Sequence, residues 1–400
     1  MFTPPHHAYY HDTRIIASKN DDLLCHYSPH RATASFADSQ KPPRNSNLEL
    51  YRIIVMVSIV AHHYVVNSGL FDTLANAPVS SSFITMLLFG AWGKTGINCF
   101  VLITGWFMCM TRFTLQKILK LYTQVTFYTV AIFTLFCFSG HETFHPVKMV
   151  LNFFPVQSIS DGFTSCFLVF YLLIPFLNIL VKNLTKRLHA FLLILLLVVY
   201  TIFPTFPTFQ LRFNYVTWFS VLYILASYLR YYGLSVKVTH RTWGLWTLLL
   251  LIVASSSVIG LAIVYKYGYV HSFIPYFFIS DSNKILALAL GVASFMYFKD
   301  LKISQSRLIN TIGGATFGVL LIHANSDAMR QWLWKEMVDC VGHYDASFLG
   351  TVLYAISTVL IVFIICAVLE EIRRRFIAPY IDRFIQRLYE KTVAVNVNYD

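Results

Sequence analysis

Ten apolar runs, each close to the length a helix needs to cross a hydrocarbon layer, dominate this 400-residue chain. About 20 residues in a helix span a bilayer. The runs are 50–66, 83–110, 117–138, 164–181, 188–204, 214–232, 243–264, 273–298, 308–323 and 349–369. The ninth is short and interrupted by Gly313, Gly314 and Gly318. Only 12% of residues are charged against 56% hydrophobic, half the charge of an ordinary soluble domain. A soluble enzyme and a disordered chain are thereby excluded. The fold expected is all-α: a polytopic bundle of about ten transmembrane helices.

Lys and Arg placement tests this division, because short loops rich in them stay cytoplasmic. Arg112, Lys117 and Lys120 mark one connection, and Lys182, Lys186 and Arg187 mark the next but one. Arg230, Lys237 and Arg241, then Lys299, Lys302 and Arg307, continue the alternation. The basic excess at both ends joins the same side, so both termini are expected to be cytoplasmic, in a multi-pass protein of the cytoplasmic membrane. The net charge of +12 therefore reads as anchoring beside a lipid bilayer and implies no nucleic acid partner.

Three segments follow: a flexible cytoplasmic tail over 1–45, a transmembrane domain over 46–371 and a basic cytoplasmic tail over 372–400. The first is polar, rich in His and Pro, and has no apolar core of the kind a cleaved signal peptide needs. The seven cysteines form no C-x-x-C pair and mostly lie inside the runs, so neither a disulfide framework nor a thiolate metal site is expected. His141-Glu142-Thr143-Phe144-His145 has the form H-E-x-x-H, but Pro146 takes His145 out of helical geometry and the zinc reading is set aside. His7 and Asp12 have the H-x4-D spacing of soluble glycerolipid acyltransferases, without a fold to aim them.

Anchoring does not account for the ionisable residues of the first run. Arg52, His62 and His63 lie in an apolar helix, where such groups cost about 2.5–3.5 kcal/mol near the centre. Arg52 and His63 are eleven positions apart. At 100° per residue that is three turns and about 20° more, so the two share a stripe, separated by about 16 Å along the axis. His62 is turned a further 100° and reads as a structural hydrogen bonder. A histidine deep in a bundle on the stripe of a cation is a site candidate. For Arg52 the alternative is a snorkelling arginine paired with Glu49.

With Gly93-Lys94-Thr95-Gly96-Ile97-Asn98-Cys99-Phe100-Val101-Leu102-Ile103-Thr104-Gly105-Trp106-Phe107, the Arg52-x10-His63 stripe resembles the acyltransferase 3 family. The run from Phe167 to Asn178 and Thr316-Phe317-Gly318-Val319-Leu320-Leu321-Ile322-His323 resemble the same family. Two departures stand out: Asp161-Gly162 precede Phe163 where an aromatic pair is common, and Ala324-Asn325 follow His323 where an aspartate often does. The resemblance implies an integral membrane O-acyltransferase, with acyl-CoA, typically acetyl-CoA, as cytoplasmic donor and a carbohydrate hydroxyl as outer acceptor. No metal is implied. It makes Arg52 and His63 the functional pair.

Acyl transfer to a hydroxyl needs a base for its proton and donors for the oxyanion. His63 is the candidate base, and Arg52 is placed for a CoA phosphate. His323 either orients His63, holds the oxyanion or makes a helix-packing hydrogen bond. Lys94 and Asn325 are the remaining substrate-binding candidates; Gly93 and Gly96 would let a chain or ligand approach closely. Trp218, Trp243 and Trp246 read as interfacial anchors. The competing class is a transporter or flippase without chemistry, against which stands the absence of visible duplicated halves.

Overall fold

Apolar stretches that must satisfy every backbone group internally leave the chain little choice but helix. The computed structural model describes residues 44–111, 113–156, 162–206, 214–234, 238–344 and 347–397, and these contain no strand. Nearly all of the 1–45 tail, with Arg112, Asp161 and Lys237, lies outside the described residues.

The first run is α1 (Ser46–Val66), followed by a short α2 (Leu70–Asn76). The second run becomes α3 (Ser81–Gly90) and α4 (Gly93–Met108), with Ala91 and Trp92 between them. Then come α5 (Leu115–Phe138), the short α6 (Pro146–Asn152), α7 (Phe163–Asn183) and α8 (Lys186–Leu197). A π turn, Val198–Ile202, carries α8 into α9 (Phe203–Thr205), and α10 (Tyr215–Tyr232) and α11 (His240–Lys266) follow. The rest comprises α12 (Ile285–Lys299), α13 (Arg307–His323), α14 (Asp327–Gln331), α15 (Phe348–Ile372) and α16 (Ala378–Val397). Residues 373–397, a basic tail in the sequence, thus continue from α15 as helix through the π turn Arg373–Ile377.

All ten runs carry helix. Among the described residues, seven helices are long and apolar enough to cross a membrane, α3 and α4 counting as one, and the bent pair α13–α14 makes an eighth. Neither α10 nor the 15-residue α12 is among them. The run 273–298 is shorter as helix than its hydropathy suggested, because its first part is held as a loop by side chains reaching across the bundle. Tyr276 donates to Leu87 O at 2.8 Å, Asn283 to Tyr200 O at 2.8 Å and Lys284 to Pro204 O at 2.6 Å.

The glycines that seemed to interrupt the ninth run do not break α13. They let neighbours close on it. A Cβ on Gly313 would strike Glu49, and one on Gly318 would strike Glu370. Glu370, 1% exposed, takes two parallel hydrogen bonds from Arg373, both 2.8 Å, and further ones from Tyr128 Oη (2.7 Å) and Gln124 (3.1 Å). The carboxylate thereby ties α5 to α15 against the small face of α13. Trp218 is fully buried, not interfacial; its Nε1 donates to Asn98 Oδ1 at 2.9 Å. Trp246 is about half exposed.

At the centre lies α1, packed on α3, α4, α13 and α15.

Candidate active site

Side chains from five helices face one another and leave a cavity of about 640 Å³. Met56, Ile59 and His63 supply the α1 wall; Gly93, Ile97, Phe100 and Thr104 supply that of α4. Phe317 and Leu320 come from α13, Phe163 and Phe167 from α7, and Tyr215 from α10. The spacings i, i+3, i+4 and i+7 keep each set on one face.

The far end of the cavity depends on a break. After His323 the backbone turns through 96° into α14. Ser326 accepts from Met329 N and so starts the new helix as its N-cap, a role for which a serine oxygen is suited. The bend brings Asn325, Asp327 and Arg330 onto the cavity wall.

His63 lines this cavity, and His323, fully buried, stands behind it. His323 Nδ1 lies 2.6 Å from Val319 O, and its Nε2 lies 3.0 Å from His63 Nδ1. Because a carbonyl oxygen can only accept, His323 carries its proton on Nδ1 and presents a lone pair at Nε2. His63 must then donate from Nδ1, which leaves its own Nε2 unprotonated. The chain of donors assigns the tautomer.

His62 also borders the cavity, contrary to the expectation that it points elsewhere. It does make the expected structural bond: Nδ1 donates to Gly90 O at 2.5 Å. Its ring lies against Gly93, where a Cβ would overlap it, and Ile59 fills the space over Gly96. The two glycines therefore let α1 side chains pack closely on α4, and Gly93 also lines the cavity.

Lys94 is on the wall, with Nζ donating to Tyr215 Oη at 2.8 Å and standing 3.9 Å from Asp281. Asn325 is on the wall too, although its Nδ2 is turned back to Leu321 O at 2.9 Å. Arg330 was not anticipated. It is held by Asp327 at 2.6 Å and by Ser326 O at 3.3 Å, and in the sequence it is one of two basic residues between the ninth and tenth runs.

Arg52 is not part of the wall. Its Nη1 donates to Glu49 Oε1 at 2.8 Å, and Arg44 approaches the same oxygen at 3.5 Å. Met56, one turn along the same stripe, is the first α1 residue to reach the cavity. Arg52 thus lies nearer the N-terminus of α1 than the residues that line the cavity.

Comparison with protein-family models matches residues 45–371 to one described as an acyltransferase domain. No curated protein and no solved structure matches the chain.

Proposed function

The chain belongs to the acyltransferase 3 family, and from that premise we propose that it moves an acetyl group from acetyl-CoA, on the inner side of the membrane, to a hydroxyl of an outer glycan, with His63 as general base. The observation that carries this reading is the ordered pair of imidazoles at the cavity, which leaves Nε2 of His63 free to take a proton. The hydroxyl oxygen attacks the thioester carbonyl while Nε2 receives its proton. The tetrahedral intermediate collapses with cleavage of the C–S bond, and the proton passes to the departing thiolate to give free CoA and the ester. Positioned proton transfer of this kind contributes typically 10²- to 10⁴-fold.

His323 acts as a positioning residue by holding the His63 tautomer. Lys94, Asn325 and Arg330 border the same cavity and are the donors to substrate oxygens, and Phe163, Phe167 and Tyr215 give it the mixed apolar and polar wall that suits a sugar. The test is release of free thiol from acetyl-CoA by the purified protein in vesicles, with a glycan acceptor present. Acceptor-dependent release that His63→Ala abolishes supports the reading. A transporter or flippase would be indifferent to acetyl-CoA, and that result would replace the enzyme with it.

A further inference from the structure

At the end of the bundle where Arg52 lies, two more guanidiniums converge on one point of α13. A Cβ placed on Gly314 would run into Nη1 of Arg44 and stand 3.3 Å from Nη1 of Arg374. Arg44 precedes α1 and Arg374 follows α15, so three separate parts of the chain meet here. Both side chains are turned inward onto the helix: Arg44 donates to Asn310 O and Arg374 to Thr311 O, each at 3.4 Å. An anchoring arginine, by contrast, extends toward lipid headgroups.

The acids present do not balance these charges. Glu49 is shared by Arg44 and Arg52, and Glu371 by Arg374 (2.9 Å) and Arg375 (2.8 Å). Four guanidiniums and two carboxylates leave an excess of positive charge where two of the cations face each other across a glycine. Like charges so placed repel unless an anion lies between them. Guanidinium forks match a phosphate, which they hold through paired charge-assisted hydrogen bonds.

Gly314 is three residues from Phe317, which lines the cavity, or about 4.5 Å along the axis; His323 is about 13 Å away by the same measure. We propose that Arg44 and Arg374, meeting over Gly314, bind a phosphate of the nucleotide end of the acyl donor. The inference rests on the acyltransferase reading. Arg52, locked to Glu49, supports the cluster and is not its principal phosphate ligand.

The experiment measures binding of unacylated CoA, which requires no transfer, to the full chain in nanodiscs of neutral lipid. Arg44→Gln and Arg374→Gln are each expected to weaken CoA roughly tenfold, the loss of a charge-assisted contact. Arg374→Lys, which keeps the charge but not the fork, should fall between, and it serves if a Gln variant does not fold. CoA affinity unchanged in the folded variants would overturn the proposal. So would a dependence of wild-type stability on anionic lipid that the variants lose while binding CoA as before, since the phosphate would then be that of a headgroup. Weakened CoA binding by a protein that transfers no acyl group would leave the phosphate site standing and remove the reaction. Normal transfer by the variants, with unaltered KM for acetyl-CoA, would do the reverse.

Discussion

Nδ1 of His63 lies 3.0 Å from Nε2 of His323, and the carbonyl of Val319 behind them decides which nitrogen carries each proton. The pair is directional: His63 is a donor toward His323 and an acceptor toward the cavity. Substitutions in the two histidines should therefore have unequal effects. His63→Ala is expected to reduce kcat by about 10²- to 10⁴-fold, the usual worth of a positioned base. His323→Ala should cost less, because the imidazole remains but its tautomer is no longer held. His323→Gln, whose amide oxygen can still accept from Nδ1, should recover part of that loss. Steady-state thiol release with thermal melting of each variant checks the order; equal losses for His323→Ala and His323→Gln would remove the positioning role.

A second prediction concerns Lys94 and Tyr215. Their 2.8 Å hydrogen bond joins α4 to α10 at the cavity wall. Tyr215→Phe keeps the ring and removes the oxygen that Lys94 donates to. An interaction used equally in the ground and transition states appears in KM and not in kcat. Acceptor KM is expected to rise several-fold with kcat little changed; a fall in kcat at constant KM would instead assign Lys94 to the transition state.

The helical runs and the stripe from Arg52 to His63 were legible because hydropathy and the 3.6-residue period are local properties. What the stripe faces is not local. Arg52 and His63 share a helix face as their spacing requires, yet Met56 and Ile59 lie between them and only His63 reaches the cavity. The bend after His323 was hidden for a similar reason: Ser326 is an ordinary polar residue until it caps Met329, and Arg330 then joins the wall. Trp218 has the composition of an interfacial residue, and only Asn98, 120 positions away, shows it to be core. The Gly313–Gly318 segment suggests a weak helix by propensity; Glu49 and Glu370 supply the tertiary reason for the absence of side chains.

Glu370 and Arg373 are both buried and paired in a bidentate manner. Removing one partner leaves an uncompensated buried charge, which costs about 3–5 kcal/mol, whereas removing both can be close to neutral. Glu370→Ala should therefore lower the melting temperature sharply, and Glu370→Leu combined with Arg373→Met should restore only part of it, because Tyr128 and Gln124 also donate to this carboxylate and lose their acceptor in both variants. Melting of the single and double variants in one detergent measures the coupling; additive losses would mean the two do not act as a pair.

Asn98 holds Trp218 Nε1 with its oxygen and donates Nδ2 to Ser282 O at 2.7 Å. Asn98→Ala orphans a buried indole N–H and a loop carbonyl, at about 1–3 kcal/mol for each group left unsatisfied. The loop over 280–284 carries Asp281, which stands near Lys94. Loss of stability should therefore come with a raised acceptor KM. Trp218→Phe, which removes the donor along with part of the ring, separates the two effects by leaving the Ser282 contact in place.

Gly93 and His62 supply the last prediction. The imidazole occupies the space that a Cβ on Gly93 would take, and it is fixed there by its 2.5 Å bond to Gly90 O. Gly93→Ala forces either the ring off its carbonyl or α4 away from α1, and overpacking of this kind costs about 1–3 kcal/mol. Because His62 adjoins His63 and both border the cavity, the strain should reach His63 and lower activity as well as stability. His62→Ala relieves the collision at the expense of one hydrogen bond, so combining it with Gly93→Ala should give a melting temperature above that of Gly93→Ala alone. If the double variant is less stable than either single one, the contact between glycine and imidazole does not set how closely α1 and α4 approach.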